Sequence, residues 1–384
     1  MDQARTSLSG SRELLARVAG WYTQLAIVLL NTLILLIGIT LFAYAFYATR
    51  WHPIHYIYSD SMQPRALHRM SAEQAAIFFK AFDRMGQQET LIYQPWVGFS
   101  QPVFHSEWLN VDAAVPMPTR RTWQDSDRGR RPLVIWTFGG STMFGWGVPD
   151  DQTIASHLAK ILARTLPERS VTVINHGYSY YFSSQELALF QILLRRGERC
   201  DFAVFLDGLN EAFFISSDED APAFTDRMRS AFVKEQQRNP TAEKHFWISP
   251  EFPPLRLLAG ILRRLVPPPE PTGVLIQPPL PTYDTVSKYK VNMAAEAALA
   301  GTQGIKTLFF WQPVPGGPNY AYVRQLAGMI RDSVHSNTFY FIADLFCGAD
   351  PADVYVDNTH YGDTACERIA EVMAREIRAQ IANR

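Results

Sequence analysis

From Leu133 onward the chain alternates between two periodicities, and that alternation restricts its fold more than any other feature. Uniformly apolar runs of strand length occur at Leu133–Phe138, Val171–Asn175, Phe202–Asp207, Thr307–Trp311 and Phe339–Ala343. Between or after most of them, stretches such as "TIASHLAKILART", "SSQELALFQILLRRG" and "TACERIAEVMAREIRAQI" put apolar residues at helical spacing. Strands that do not alternate with polar residues need cover on both faces, which predicts an α/β fold with a parallel sheet between helices. With 47% hydrophobic and 19% charged residues, the 384-residue chain has the apolar content for such a core. Its formal net charge of −1 gives no field that would gather nucleic acid, so no nucleic-acid partner is expected.

A different pattern precedes this body. Leu25 to Ala48, "LAIVLLNTLILLIGITLFAYAFYA", carries no charge, and about 24 residues at about 1.5 Å each span a bilayer's hydrocarbon core. Trp21 and Tyr22 on one side, and Tyr44, Tyr47 and Trp51 on the other, suit the two membrane interfaces. The run is about twice the length of a signal-peptide core, so an uncleaved transmembrane helix is expected despite "AYA" at Ala43–Ala45. Arg5, Arg12 and Arg17 precede the helix while Arg50 and Arg65 follow it, a slight charge bias. The simplest topology is a single-pass cell-membrane protein with its body periplasmic or extracytoplasmic.

Three parts follow from these patterns: residues 1–48 as tail and membrane helix, 49–130 as a membrane-proximal segment packed on the core, and 131–384 as the main domain. In the second, Ser71 and Gln74 form a capping box for a short helix that Gly86 should stop, and "LIYQPWVGFSQPVFHSEWLNVD" suits extended edge segments or a hairpin packed on a larger sheet. "RRTWQDSDRGRRP" reads as a solvated loop. Within the third, residues 212 to about 285 form an insertion with a helix "TDRMRSAFVKEQQR" and a proline-rich loop. Cys200, Cys347 and Cys366 are too scattered for a disulfide framework or a metal site, with one Cys347–Cys366 bridge left open. Neither metal nor cofactor is expected, and the oligomeric state is left open.

Polar residues gather where the strands end. Ser141 follows the first strand after two glycines, Gly177 closes the second, Asn210 follows the third, and Asp357 and His360 lie beyond the fifth. In an open parallel sheet this carboxyl edge is where ligands bind. A serine hydroxyl needs a base to become a nucleophile, and His360 can supply it; Asp357, three residues earlier, can fix the imidazole tautomer. The backbone N–H groups of Ser141 and Gly177 and the Asn210 amide are the expected donors to an oxyanion. The serine motif "FGGSTMFG" is not a G-x-S-x-G elbow, since Met143 stands where the last glycine belongs, and neither P-loop nor G-x-G-x-x-G is present.

These blocks, "FGGSTMFGWG", "INHGYS", "DGLNE" and "DNTH", resemble the SGNH (GDSL-like) hydrolases, in wording most similar to a membrane-anchored bacterial subgroup associated with surface polysaccharides. The resemblance covers roughly Arg131 to Arg384 without the insertion. It implies a flavodoxin-like three-layer sandwich with a five-stranded parallel sheet, Ser141 as nucleophile, His360 as base, Asp357 as its orienting acid, and Gly177 and Asn210 as oxyanion donors. Two positions depart from the family pattern: Gly140 replaces an Asp before the serine, and Glu211 replaces an Asp after Asn210. The implied activity is a serine esterase acting on a small acyl ester or an O-acylated glycan, acetyl esters first. The same residues would serve an O-acyltransferase on glycan, and a non-catalytic glycan-binding or scaffolding protein is the third reading.

Among the remaining residues, His157 is expected at the surface or boundary of its amphipathic helix and His176 either packs or touches substrate. Trp146 and the aromatics of "YSYYFSSQ" are candidates for core or for stacking on sugar rings, and "QPVPGGPNY" for the pocket wall.

Overall fold

The computed structural model describes residues 2–50, 62–88, 92–125, 130–214, 283–316 and 320–382. The chain divides into two compact units. The described part of the first is one helix, α1 (Asp2–Arg50). Its stretch Arg17–Phe42 is long and apolar enough to cross a membrane, with a mean hydropathy of 2.7 and no buried residues. Thr23, Thr32 and Thr40 turn their hydroxyls back onto carbonyls four residues earlier, which satisfies them within the helix. The helix continues to either side of the expected span, without a break between tail and apolar run.

The second unit is built on a sheet whose parallel strands are β6 (Arg131–Gly139), β7 (Arg169–Gly177), β8 (Phe202–Asp207), β9 (Lys306–Trp311) and β10 (Phe339–Phe341). Their spatial order is β10-β9-β8-β6-β7, so the first strand of the series lies between the second and the third. This is the flavodoxin-like order, and its reversal point opens a crevice at the carboxyl end of β6.

Side chains along β6 alternate between the two faces. Leu133 and Ile135 join Val171, Val173, Val204, Leu206, Leu308 and Phe310 in one core, while Trp136 and Phe138 join Ala203, Phe205 and Phe309 in the other. The first core is covered by α4 (Ile154–Thr165) and α10 (Asp363–Ala382), the second by α5 (Ser183–Arg195) and α7 (Tyr283–Thr302). Each fully buried Leu, Ile, Val or Phe contributes about 1.5–3 kcal/mol. Two shorter helices flank the carboxyl edge: α3 (Ser141–Phe144) after β6 and α6 (Leu209–Phe214) after β8. Beyond β9 lies α8 (Ala321–Ser333), and α9 (Pro351–Val354) precedes the final loop.

The sheet is wider than five strands. Three short antiparallel strands, β3 (Phe104–His105), β4 (Asn110–Asp112) and β5 (Thr119–Arg120), extend it beyond β7 through the Arg120↔Asn175 pairing. They cover what would otherwise be an open edge of the parallel sheet. Before them, β1 (Ile92–Gln94) and β2 (Gly98–Ser100) form a hairpin.

The helix α2 (Ala72–Gln88) begins with the reciprocal Ser71–Gln74 capping box. It runs past Gly86, since a single glycine weakens a helix without ending it, and buries Phe78, Phe79, Phe82 and Met85 in the first core. Cys347 is exposed and Cys366 buried, and both are free thiols, so the Cys347–Cys366 bridge does not form. The expected helix "TDRMRSAFVKEQQR" and the proline-rich stretch lie outside the described residues.

Candidate active site

Ser141 opens α3 directly after β6. The turn that delivers it has no room for side chains. A Cβ on Gly140 would come within 2.3 Å of Asn210 Nδ2, and one on Gly177 within 2.4 Å of the Phe144 backbone nitrogen. Gly140 therefore stands where an acid was anticipated because the Asn210 amide occupies that space.

The three expected residues meet. His360 Nε2 lies 2.8 Å from Ser141 Oγ, and His360 Nδ1 lies 2.6 Å from Asp357 Oδ2. Asp357 is held in turn by its own loop, with Oδ1 accepting the N–H groups of Thr359 and His360 at 2.7 Å each. The carboxylate thus fixes the loop, and the loop fixes the imidazole. Burial pushes the Asp357 carboxyl up, but the His360 charge and the hydrogen bonds from His360 and Thr359 outweigh it and leave it below its ordinary value. His360 and Asp357 each keep 15% side-chain exposure, so the pair faces an open edge rather than a sealed core.

The donors expected opposite Ser141 are not equally placed. Asn210, on α6, gives one amide hydrogen to Tyr181 O at 2.7 Å and keeps its second. The Ser141 N–H makes no recorded hydrogen bond among the described residues. Gly177 departs from expectation: its N–H donates to Asn175 Oδ1 at 2.9 Å. The fully buried Asn175 uses its Nδ2 on Met143 O at 2.9 Å, tying the end of β7 to α3. Gly177 serves close packing, with its donor already spent.

Supporting groups that the sequence left unmarked complete the edge. Arg120, 2% exposed, pairs with Asp150 at 2.9 Å and donates to Val148 O at 2.8 Å, just past the serine turn. The same Asp150 accepts from Asn110 N and Nδ2, so the antiparallel extension is latched to the loop after Ser141. The first arginine of "RRTWQ", read as solvated, is therefore a buried clamp. Its partner is the first acid of "VPDDQ", Asp150, a pairing visible only with the fold in hand. At β9, Thr142 Oγ1 donates to Gln312 Oε1 at 2.8 Å and the Tyr361 hydroxyl to Pro313 O at 2.7 Å, which joins the "QPVP" segment to the serine and histidine loops.

Behind the Asn210 turn lies a set of buried acids. Glu186, Asp207, Glu211 and Glu296 are 0%, 2%, 1% and 1% exposed. Glu211 accepts the N–H groups of Ser183 at 2.9 Å and Gly208 at 2.6 Å, stapling the loop after β7 to the turn carrying Asn210. Its longer side chain does the bridging at the position where a shorter Asp was anticipated. Burial, reinforced by the neighbouring acids, raises Glu186, Asp207 and Glu296 well above the ordinary carboxyl range. Tyr289 donates to Asp207 Oδ2 at 3.3 Å.

His157 and His176 are both buried. His157, expected at the surface or boundary of its helix, is 3% exposed and faces Arg69 at 3.2 Å; burial first, and then the Arg69 charge, lower it to about 4. His176 stacks on Phe138 with ring centroids 5.4 Å apart, a packing role, and burial lowers it to about 3. Tyr178, Tyr181 and Trp146 are core residues at 1%, 0% and 8% exposure, whereas Tyr180 faces outward. No group of three or more His, Cys, Asp or Glu side chains among the described residues is arranged to hold a metal ion.

No family model matches the chain, and no curated protein does. Among solved structures it is similar to a lipolytic protein of the G-D-S-L family from Desulfitobacterium hafniense, at 11% identity and a TM-score of 0.35, covering 63% of this chain and 98% of that one. It is also similar to a lipase/acylhydrolase from Enterococcus faecalis (14% identity, TM-score 0.39, 65% and 96% covered). A third is a catalytic mutant of an acetylxylan esterase from Geobacillus stearothermophilus (10% identity, TM-score 0.39, 65% and 96% covered). At such identities and scores their chemistry does not transfer, and the function is read from this chain's own residues.

Proposed function

We propose that this chain is an SGNH-type serine hydrolase that cleaves acyl esters, with Ser141 as nucleophile, His360 as general base and Asp357 as its orienting acid. The observation that carries the reading is the unbroken relay from Ser141 Oγ through both ring nitrogens of His360 to Asp357, at 2.8 and 2.6 Å. With Nδ1–H donated to the carboxylate, Nε2 is left as the acceptor for the serine proton. Attack on the ester carbonyl gives a tetrahedral oxyanion, which the Ser141 N–H and the second Asn210 amide hydrogen are positioned to receive. The imidazolium then protonates the leaving alkoxide, and water releases the acyl group by the same route in reverse.

The finer assignments are an acetyl ester as the acyl group, a surface or exopolysaccharide as its carrier, and α1 as a single-pass anchor with the body outside the cytoplasm. Residues 131–384 form the hydrolase domain and 49–130 the segment that links it to the anchor. The purified full chain should release p-nitrophenol from p-nitrophenyl acetate, and Ser141→Ala should lower kcat by at least about 10³-fold. Unchanged turnover in Ser141→Ala rejects the assignment.

A further inference from the structure

Among the described residues, two aromatic side chains combine exposure with a backbone conformation that side chains of their size rarely adopt. Trp96 has φ 73° and is 85% exposed; Tyr180 has φ 69° and is 36% exposed. A bulky residue in the left-handed region is strained, and such strain persists only where surrounding contacts impose it. At Trp96 those contacts are visible. Val97 is buried at 2% exposure, with its carbonyl accepting Gln185 Nε2 at 2.7 Å, and the Phe99 carbonyl accepts the Tyr181 hydroxyl. The hairpin β1–β2 is thereby pinned to the loop after β7, with Val97 inward and the indole of Trp96 in solvent.

That loop is part of the candidate active site. Tyr181, whose ring meets Phe99 edge-on at 5.6 Å, holds Asn210 through its carbonyl, and Tyr180 is its neighbour in sequence. Neither the hairpin (residues 92–100) nor the loop together with the first residues of α5 (residues 178–185) contains a charged residue. Beside the loop, Ser183 and Ser184 are bridged by Asn292 Nδ2 at 2.9 Å each. An exposed indole on an uncharged hairpin complements a pyranose, which has apolar C–H faces and a hydroxyl rim. Neither the hairpin nor the loop itself carries a cation for an anionic headgroup to pair with.

We propose that Trp96, with Tyr180 closer to Asn210 along the chain of contacts, is a stacking platform for a sugar ring, so that the ester cleaved at Ser141 is carried on an uncharged O-acylated glycan. The inference rests on the esterase reading, yet its test does not depend on turnover. Trp96→Gly relieves the left-handed strain while deleting the ring, so a merely structural tryptophan and a ligand-binding one give opposite signatures. Partially O-acetylated xylo- and manno-oligosaccharides would be titrated into the full chain in detergent, comparing Ser141→Ala with the Ser141→Ala/Trp96→Gly double variant.

The expected result is binding by the first, binding about tenfold weaker by the second, and an unchanged or higher melting temperature for the second. Equal affinities, absence of binding by both, or a lowered melting temperature with affinity retained would overturn it. So would a component of tryptophan quenching by brominated lipids in nanodiscs that disappears with Trp96→Gly, which would assign the ring to the bilayer. Failure of the esterase reading would instead appear as absent p-nitrophenyl acetate turnover by the unsubstituted chain.

Discussion

Asp357 and Asp207 are the same side chain at the same edge of the sheet, and their surroundings send them in opposite directions. Asp357 receives two backbone N–H bonds and a histidine nitrogen, and lies below the ordinary carboxyl range. Asp207 is buried with Glu186, Glu211 and Glu296, receives one tyrosine hydroxyl, and lies well above that range. The first is kept charged so that it can hold an imidazole. The second belongs to a group of acids that burial raises, and Glu211 is raised with them, although its two N–H partners pull the other way. Charge is thus maintained where it orients the base and suppressed directly behind the amide donor Asn210.

The sharpest break of this contrast is a matched pair of substitutions. Asp357→Asn should lower kcat on p-nitrophenyl acetate by about 10³–10⁴-fold, because the amide cannot hold the required tautomer. Asp207→Asn, replacing a protonated acid by its near-isostere, should stay within about threefold of the unsubstituted chain. Equal losses in the two variants would erase the distinction. Next in size, Asn210→Ala removes one oxyanion donor and frees Tyr181 O, and should cost about 10²–10³-fold in kcat with KM little changed. A loss confined to KM would place Asn210 in ground-state binding instead.

The smallest effect concerns stability. Glu186 keeps its proton in the folded state at pH values where the unfolded chain, near its ordinary 4.5, has released it. The folded state then binds more protons, so the contribution of this group to stability falls as pH rises above that range. Glu186→Gln removes the penalty and should raise the melting temperature at pH 8 by about 2–4 °C, with little change near pH 4, in calorimetric scans. A uniform shift at both pH values would argue against a buried neutral acid.

How much of this was legible in the sequence differs between the two regions. Ser141 was legible because it stands where the first apolar run stops, whereas Asp357 and His360 lie well past the last strand, beyond α9, and were marked by their DxxH spacing and the family resemblance. The bond from the Gly177 N–H to Asn175 Oδ1 was not legible, because the partner of a backbone N–H leaves no trace in residue type. The acid cluster was hidden for a related reason. Glu186, Asp207, Glu211 and Glu296 come from α5, β8, α6 and α7, so only tertiary packing brings them together.

The aromatics illustrate the same boundary. Tyr178, Tyr180 and Tyr181 are equivalent by composition, yet two are core and one, with a positive φ, points outward. Of the three extra strands, β3 and β4 fall in the stretch expected as extended edge segments packed on a larger sheet, while β5 went unmarked because a run of two residues carries no detectable periodicity.

The account stands on the Ser141 hydroxyl being activated by His360, and covalent labelling reads that directly. The full chain would be treated with a fluorophosphonate and its peptides mapped by mass spectrometry, alongside His360→Ala. The account predicts a single stoichiometric adduct on Ser141, formed far more slowly in His360→Ala. An unmodified Ser141 in the folded chain, or equal labelling rates with and without the imidazole, would contradict it.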